Sequence, residues 1–213
     1  MREDTKTLVF AAIVCVSCSL LLSVAAAGLK SLQDANKEFD QHRNIVKAFG
    51  IDISTISRPE IEKTFSDHVN QVSAGSGEEA LTVYTWTETG DDKPSKYAFP
   101  ISGKGLWSTL YGYLALDTDL ETIAGLTFYK HGETPGLGAE IEKSWFQKQF
   151  AGKKLYTADG TPTEFQVTKP GAAHGDYAVD GISGATLTGK GVQALLRRDA
   201  GLYADYFNQI KGN

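Results

Sequence analysis

The chain has 213 residues, of which 41% are hydrophobic and 22% charged, enough for one domain with a substantial core. Lys and Arg number 21 against 26 Asp and Glu, giving a net charge of -5. This acidic balance, without a basic stripe, argues against a nucleic-acid-binding protein and against a domain that lies on anionic lipid. Both cysteines, Cys15 and Cys18, fall in an N-terminal apolar stretch, so the rest of the chain has no disulfide framework and no thiol nucleophile.

That apolar stretch, residues 8–29, carries no charged side chain. As a helix it would extend roughly 33 Å, enough to cross the core of a bilayer. Ala25-Ala26-Ala27 resembles the cleavage site of a signal peptide, but the apolar run exceeds the usual h-region of about 7–15 residues. We therefore expect a retained single-pass transmembrane helix at 8–29, preceded by a short tail at 1–7.

The residues around and within the span leave two points open. Lys and Arg occur on both sides of it, so the positive-inside rule does not set its orientation. Cys15 and Cys18 would share a helix face and could supply half of the ligands of an iron–sulfur centre. Two small apolar fillers at a helix–helix contact are the commoner meaning of such a pair.

Two helices are predicted after the span. Helical spacing of apolar residues predicts that the first continues to about Phe49. Segment 57–60, Ser-Arg-Pro-Glu, has the serine and glutamate of a capping box and an early proline, which is typical of a helix start. The apolar face of this second helix would be formed by Ile61, Phe65 and Val69. Ala74-Gly75-Ser76-Gly77 is expected to break the chain.

From Leu81 the sequence is rich in β-branched and aromatic residues, which predicts strands at 81–87 and 97–101. A hairpin of strands 106–116 and 122–130 is expected around Asp117-Thr118-Asp119. The remaining predictions are a helical segment at 140–150, strands at 154–156 and 164–169, a helix at 187–198 and a final helix carrying Leu202, Tyr206 and Ile210. Central strands between terminal helices predict an α+β fold, a mainly antiparallel sheet flanked by helices in one domain over 30–213.

Seven residues near the C-terminus, Asp180-Gly181-Ile182-Ser183-Gly184-Ala185-Thr186, place a threonine hydroxyl after a glycine-rich turn and directly before the predicted helix. A phosphate at this position would meet a helix N-terminus and free loop N–H groups. A capped helix after a turn is the commoner meaning of Ser-Gly-x-Thr. The residues alone leave both interpretations open.

This segment resembles the flavinylation motif of membrane electron-transport subunits, which carry FMN through a phosphoester to the last threonine. Three further segments resemble NqrC, the C-type subunit of the Na+-translocating NADH:quinone oxidoreductase, and occur in the order of that family: 36–49 with Asn44-Ile45 at its middle, 103–112 (GKGLWSTLYG) and 131–138 (HGETPGLG). The G-type subunit of the Rnf electron-transport complex shares the threonine motif. Segments 36–49 and 131–138 favour the sodium-pump family.

The resemblance implies an FMN-binding domain with FMN attached covalently to Thr186. Backbone N–H groups near the phosphate would come from the residues around it, with Thr188 opening the helix: Ser183, Gly184, Ala185 and Leu187. Segment 131–138 would face the flavin ring, since its glycines allow close approach and Thr134, Leu137 and Gly138 offer contacts. Asp180 would shape the loop or serve recognition by the attaching enzyme, because a carboxylate beside a phosphate would repel it.

Three further candidates for flavin contact carry an alternative. His131 and Glu133 are equally well explained as a solvated hydrogen-bonded pair at the base of their loop. Trp107, Tyr111 and Tyr113 would share one face of a strand, where aromatics are usually core, although Trp107 lies beside glycines and is a plausible neighbour of the flavin. No metal site is expected.

The implied function is that of a membrane-anchored electron-transfer subunit in an oxidoreductase and translocase that uses NADH, ubiquinone and sodium, with no catalysis by this subunit on its own. Its partners would be the other subunits, the membrane and a flavin transferase, but not nucleic acid. The location would be the bacterial inner membrane, with the domain on the periplasmic side. No strand–GxGxxG–helix pattern is present, so NADH is not expected to bind here.

An alternative from another class is a non-redox, membrane-anchored assembly module in which segment 183–188 only caps a helix. A hydrolase is disfavoured. Ser183 has no recognisable nucleophile elbow, and His174 lies in a Gly/Ala-rich loop without an evident orienting acid.

Overall fold

The computed structural model describes residues 3–74 and 80–212. The chain divides into two compact units, Met1–Gln41 and His42–Asn213. The break expected at Gly75-Ser76-Gly77 lies outside the described residues.

Helix α1 runs from Glu3 to Ala48. In the described part of the chain it is the one helix that is long and apolar enough to cross a membrane, a test of length and composition that a signal sequence also passes. Its large apolar side chains, such as Leu21 and Leu22 (both 71% exposed), are not covered by protein. Cys15 and Cys18 are free and exposed on the same stretch.

A five-stranded antiparallel sheet forms the centre of the second unit, and its spatial order β1-β2-β3-β4-β5 is the order of the sequence. Consecutive strands can pair in this way because short connections suffice between antiparallel neighbours. The strands are β1 (Val69–Ala74), β2 (Leu81–Trp86), β3 (Lys96–Lys104), β4 (Thr109–Asp117) and β5 (Ile123–Lys130).

Both faces of the central strands are covered, and β3 and β4 are buried along most of their length. Alternation along β3 sends Phe99 and Ile101 into one core cluster and Ala98 into the other. The larger cluster packs against the C-terminal helix α4 (Thr186–Lys211), where the rings of Phe99 and Tyr203 lie 4.4 Å apart between centroids. The smaller cluster includes Phe49 and, from the end of α1, Ile45 and Ala48.

The other elements are short. Helix α2 (Arg58–His68) begins with the predicted capping box between Ser57 and Glu60. After β5 come a 3₁₀ helix (Gly138–Glu142), the single turn α3 (Ser144–Gln147) and a parallel pair of strands, β6 (Gln166–Thr168) and β7 (Ala178–Asp180). The predicted α+β class with a mainly antiparallel sheet is confirmed.

Several predicted boundaries are wrong. Val69 belongs to β1, a strand that we did not predict, and not to the face of α2. β4 begins at Thr109 instead of residue 106, and 154–156 forms only isolated bridges. The two predicted C-terminal helices are one, because the apolar spacing of Val192, Leu196 and Ala200 continues through Tyr203 and Phe207.

Candidate functional site

The N-terminus of helix α4, which carries the Thr186 hydroxyl, is exposed. Thr186 is the first residue of this 26-residue helix, and its side chain faces solvent. The preceding residue, Ala185, makes no side-chain hydrogen bond that would cap the helix. The positive end of the helix dipole therefore lies beside the exposed Thr186 hydroxyl, an arrangement that favours a phosphate.

The turn before Thr186 depends on a glycine. Gly184 has a φ of +75°, and a Cβ there would lie 2.9 Å from Leu137 Cδ2. Only glycine adopts this backbone conformation without strain, and only glycine lets the loop at 131–138 come this close. The segments 180–186 and 131–138, which are far apart in the sequence, are thus in contact.

The carboxylate of Glu133 joins three segments. It is only 5% exposed, and its Oε1 accepts hydrogen bonds from the N–H groups of Trp107 (2.9 Å) and Ser108 (3.2 Å). Its Oε2 accepts from the Thr188 hydroxyl at 2.6 Å and from the Leu106 N–H at 3.3 Å. Burial alone would raise the pKa of Glu133, but these hydrogen bonds outweigh it and hold the pKa below its ordinary value.

Close packing accompanies this carboxylate. A Cβ at Gly138 would lie 2.6 Å from Thr188 Oγ1 and 2.8 Å from Glu133 Oε2, and one at Gly105 would lie 2.6 Å from Glu133 Oε1. No larger residue fits either position without movement of the network. The loop 105–108, the loop 131–138 and the start of α4 therefore form one assembly around Glu133.

His131 and Ser108 complete the base of this assembly. The Glu133 N–H donates to His131 Nδ1 at 3.2 Å, and the Gly132 N–H donates to Ser108 Oγ at 2.5 Å. His131 Nε2 is buried, lies 3.5 Å from a Glu142 carboxylate oxygen and has no hydrogen-bond partner among the described residues. Because Nδ1 accepts, the ring proton belongs on Nε2.

Asp180 shapes the loop between β6 and β7. Its Oδ1 accepts the N–H groups of Ala172 (3.0 Å) and Ala173 (2.9 Å), and its own backbone N–H donates to Gln149 Oε1 at 3.0 Å. The carboxylate is therefore engaged with the loop 171–175. The sequence predicted that Asp180 shapes the loop of the threonine motif, whereas its carboxylate bonds to the preceding loop.

Four large apolar side chains are exposed on the segments that Glu133 joins. Trp107 is 71% exposed and Leu187 56%, while Leu137 and Leu106 are 42% and 41% exposed. Such side chains around a helix N-terminus form a surface that a flat, apolar ring with a phosphate tail would cover. The uncapped helix end and the glycine-lined turn fit the phosphate of FMN, and the apolar side chains fit its ring.

The predicted site residues divide into two groups. Exposed positions, which can contact a ligand directly, are Ser183, Gly184, Thr186, Leu187, Thr134, Leu137 and Trp107. Ala185, Thr188, Gly138 and Glu133 are buried, and His131 is nearly so, with a side chain only 10% exposed. These buried residues hold the exposed ones in place.

One alternative and one expectation about this region are wrong. Glu133 is buried and its carboxylate bonds to two other segments, so its hydrogen bond with His131 is not that of a solvated pair at the loop base. Trp107 lies in a loop and not on a strand, so it does not share a strand face with Tyr111 and Tyr113. The sequence interpretation also gave no role to Ser108 or Leu106, although both lie in the quoted segment 103–112.

Residues 105–199 match the model of the FMN-binding domain family. The chain is 34% identical to a Yersinia pestis protein named as the C-type subunit of the Na(+)-translocating NADH-quinone reductase, over 88% of this chain and 85% of that protein. The chain belongs to the NqrC family. Its predicted family is thereby confirmed, and the proteins of this family are named as subunits of an oxidoreductase complex.

Solved structures of the NqrC family have the same fold. The Parabacteroides distasonis protein of this family matches with a TM-score of 0.70 and 32% identity, covering 84% of this chain and 96% of that one. The Shewanella oneidensis NqrC matches with a TM-score of 0.73 and 26% identity, covering 84% and 100%. The FMN-binding region of this NqrC family member includes every segment of the assembly around Glu133.

Proposed function

We propose that this chain is the membrane-anchored electron-transfer subunit of the NqrC type in a Na+-translocating NADH:quinone oxidoreductase, with FMN joined to Thr186 by a phosphoester. The observation that supports this most strongly is the exposed Thr186 hydroxyl on an uncapped helix N-terminus, beside a rigid loop assembly with exposed apolar side chains. Bound FMN would supply one- and two-electron redox chemistry. The chain's own residues hold and orient it.

Each part of the site has a distinct task in this proposal. The N–H groups at the start of α4 stabilise the phosphate, and the ester to Thr186 Oγ1 prevents loss of the cofactor from a compartment poor in flavin. Leu137, Leu187 and Trp107 exclude water from the ring and fix its orientation. Glu133 keeps these three side chains at a constant spacing through the segments it joins.

The same proposal covers location and partners. Helix α1 anchors the chain in the bacterial inner membrane at residues 8–29, and the domain at 30–213 lies on the periplasmic side. Electrons arrive from and leave to other subunits, because no nucleotide-binding glycine motif is present for NADH. A flavin transferase attaches the cofactor and reads the segment around Thr186.

The test is intact-mass measurement of protein purified from membranes after coexpression with a flavin transferase. We expect one addition equal to FMN less one water, with fragment ions placing it on Thr186 instead of Ser183 or Thr188. Thr186→Ala is expected to lose the addition and its in-gel flavin fluorescence. Thr186→Ser, the matched control, keeps a hydroxyl at the same place and should retain both.

Reduction of the labelled chain tests the redox role separately. Its flavin absorption should bleach with dithionite and return on oxidation. An unmodified wild-type chain made beside a working transferase would instead support the assembly-module alternative. Modification that persists in Thr186→Ala would place the ester elsewhere and refute the assignment.

A further inference from the structure

A cleft in the His42–Asn213 unit involves none of the residues of the assembly around Glu133. It is a half-open cleft of about 630 Å³ between the loop after α1, the edge strand β5 and α3. Its charged lining residues are Arg43, Lys47, Lys148 and Asp52, and its apolar walls include Ile51 and Ile53. This volume lies within the range of about 300–1,000 Å³ that is usual for small-molecule sites.

The cleft has an excess of positive charge. Arg43, Lys47 and Lys148 line it, and in the described residues none of the three forms an ion pair. Asp52 is the single carboxylate in the lining. The Ser54 N–H donates to its Oδ1 at 3.0 Å, and hydrogen bonds from Ser54 lower the pKa of Asp52. One turn-bonded carboxylate does not balance three cations.

Lys47 is the most constrained of the three cations. Its Nζ donates to Gln147 Oε1 at 2.6 Å, and Gln147 Nε2 donates to the Ile141 carbonyl at 3.2 Å, which orients the amide oxygen toward the ammonium. Gln147 itself is 4% exposed, so this arrangement is built into the interior. The Lys47 ammonium is thus held in place by the neutral Gln147 amide and keeps N–H donors for a second acceptor.

The charges around Lys47 are unfavourable without a counter-ion. Burial lowers the pKa of Lys47, and the nearby positive charges of Arg43 and Lys148 lower it further. Glu142 acts in the opposite direction, but its carboxylate also pairs with Lys143 at 3.3 Å. A cluster of like charges costs folding free energy, and an anion between them would reverse that cost.

We propose that this cleft binds an organic polycarboxylate, with Arg43, Lys47 and Lys148 each taking a carboxylate oxygen. The walls at Ile51, Ile53 and Leu126 suit the hydrocarbon part of such a ligand and not a bare inorganic anion. The carboxylates belong either to a free small molecule or to an acidic segment of a partner protein, which have the same chemistry here. The inference does not depend on flavin attachment.

The test is isothermal titration calorimetry of the full chain in detergent at low ionic strength. The titrants are tricarballylate, an Asp/Glu-rich peptide and inorganic phosphate. We expect tricarballylate or the peptide to bind and phosphate to give no comparable heat. The tighter of the two carboxylates identifies the source: tighter tricarballylate indicates a free small molecule, and a tighter peptide indicates a partner segment.

Variants assign the binding to the cleft. Arg43→Gln and Lys148→Gln are each expected to weaken binding about tenfold, the effect of losing one charge-assisted hydrogen bond. Lys169→Gln makes the same charge change on an exposed lysine that does not line the cleft, and should leave affinity unchanged. The proposal would be overturned if neither tricarballylate nor the peptide bound, or if phosphate bound as tightly as they do. It would also be overturned if Lys148→Gln bound them with wild-type affinity.

Discussion

Replacing Glu133 tests whether one carboxylate holds the candidate flavin site together. Glu133→Gln keeps the shape and one oxygen, so the bonds from Trp107 and Ser108 to Oε1 can remain. The new NH₂ group would stand where Oε2 now accepts from Thr188 at 2.6 Å and faces the Leu106 N–H as a second donor. The Thr188 hydroxyl can turn and accept from this NH₂ group, but the charge-assisted bond from the Leu106 N–H is lost and that donor is left unpaired.

We expect this change to cost about 3 kcal/mol, since a hydrogen bond to a charged group contributes roughly 1.5–3 kcal/mol and an orphaned donor roughly 1–3. For a domain of this size that corresponds to a fall in Tm of roughly 6–12 °C. Urea unfolding of the full chain in detergent, followed by circular dichroism, measures the difference. Glu164→Gln, an exposed surface partner of Arg197, should change stability by less than about 0.5 kcal/mol.

The Thr188 hydroxyl provides an independent check of the same bond. Thr188→Val should destabilise the wild type but cost about 1 kcal/mol less in the Glu133→Gln background, because the shared bond there no longer involves a charged acceptor. Additive effects would mean that the two side chains do not act through each other. Glu133→Gln with wild-type stability would refute the reasoning altogether.

The pH dependence has a definite sign. The pKa of Glu133 is lowered below its ordinary 4.5, so its contribution is fully present above about pH 4.5. It is lost as pH falls through the lower folded-state value, because protonation removes the acceptors that the backbone N–H groups need. The difference between wild type and Glu133→Gln should therefore be constant at neutral pH and shrink below pH 4.5.

Gly103→Ala should destabilise the domain by about 1–3 kcal/mol in urea unfolding, because its Cβ would lie 2.4 Å from Leu195 Cβ and push α4 off the sheet. Trp107→Ala should leave stability within about 0.5 kcal/mol, since the side chain is 71% exposed, but raise the fluorescence of attached flavin by removing a quenching indole. Arg43→Gln should raise Tm by about 1 °C at low salt, because a charge that lowers the pKa of Lys47 is removed; a lower Tm would contradict the repulsion.

Local patterns predicted the parts of the fold that depend on neighbouring residues. The capping box at Ser57 and the hairpin around Asp117-Thr118-Asp119 follow from such short-range signals. β7 was missed because its three residues pair with β6 in parallel, across a loop that carries no strand pattern. The continuous α4 was predicted as two helices, although its apolar spacing continues on both sides of Gly201.

In the candidate site, too, the sequence predicted what neighbouring residues determine and missed what distant residues determine. The exposed Thr186 and the turn at Gly184 could be located from one short motif. The role of Glu133 could not, because its partners are 25 to 55 residues away and a carboxylate beside His131 in a Gly/Pro loop is usually solvated. Periodicity likewise placed Trp107 on a strand, whereas it lies in a loop whose backbone N–H donates to the Glu133 carboxylate.

The meander order of the sheet bears on when the site becomes complete. Each strand pairs with its neighbour in sequence, so the sheet forms from local contacts and can assemble early. The hydrogen bond from Thr188 to Glu133 joins residues 55 positions apart and forms only when α4 has packed. An enzyme that modifies Thr186 would therefore act on a sheet that has already formed, at the start of the helix that packs last.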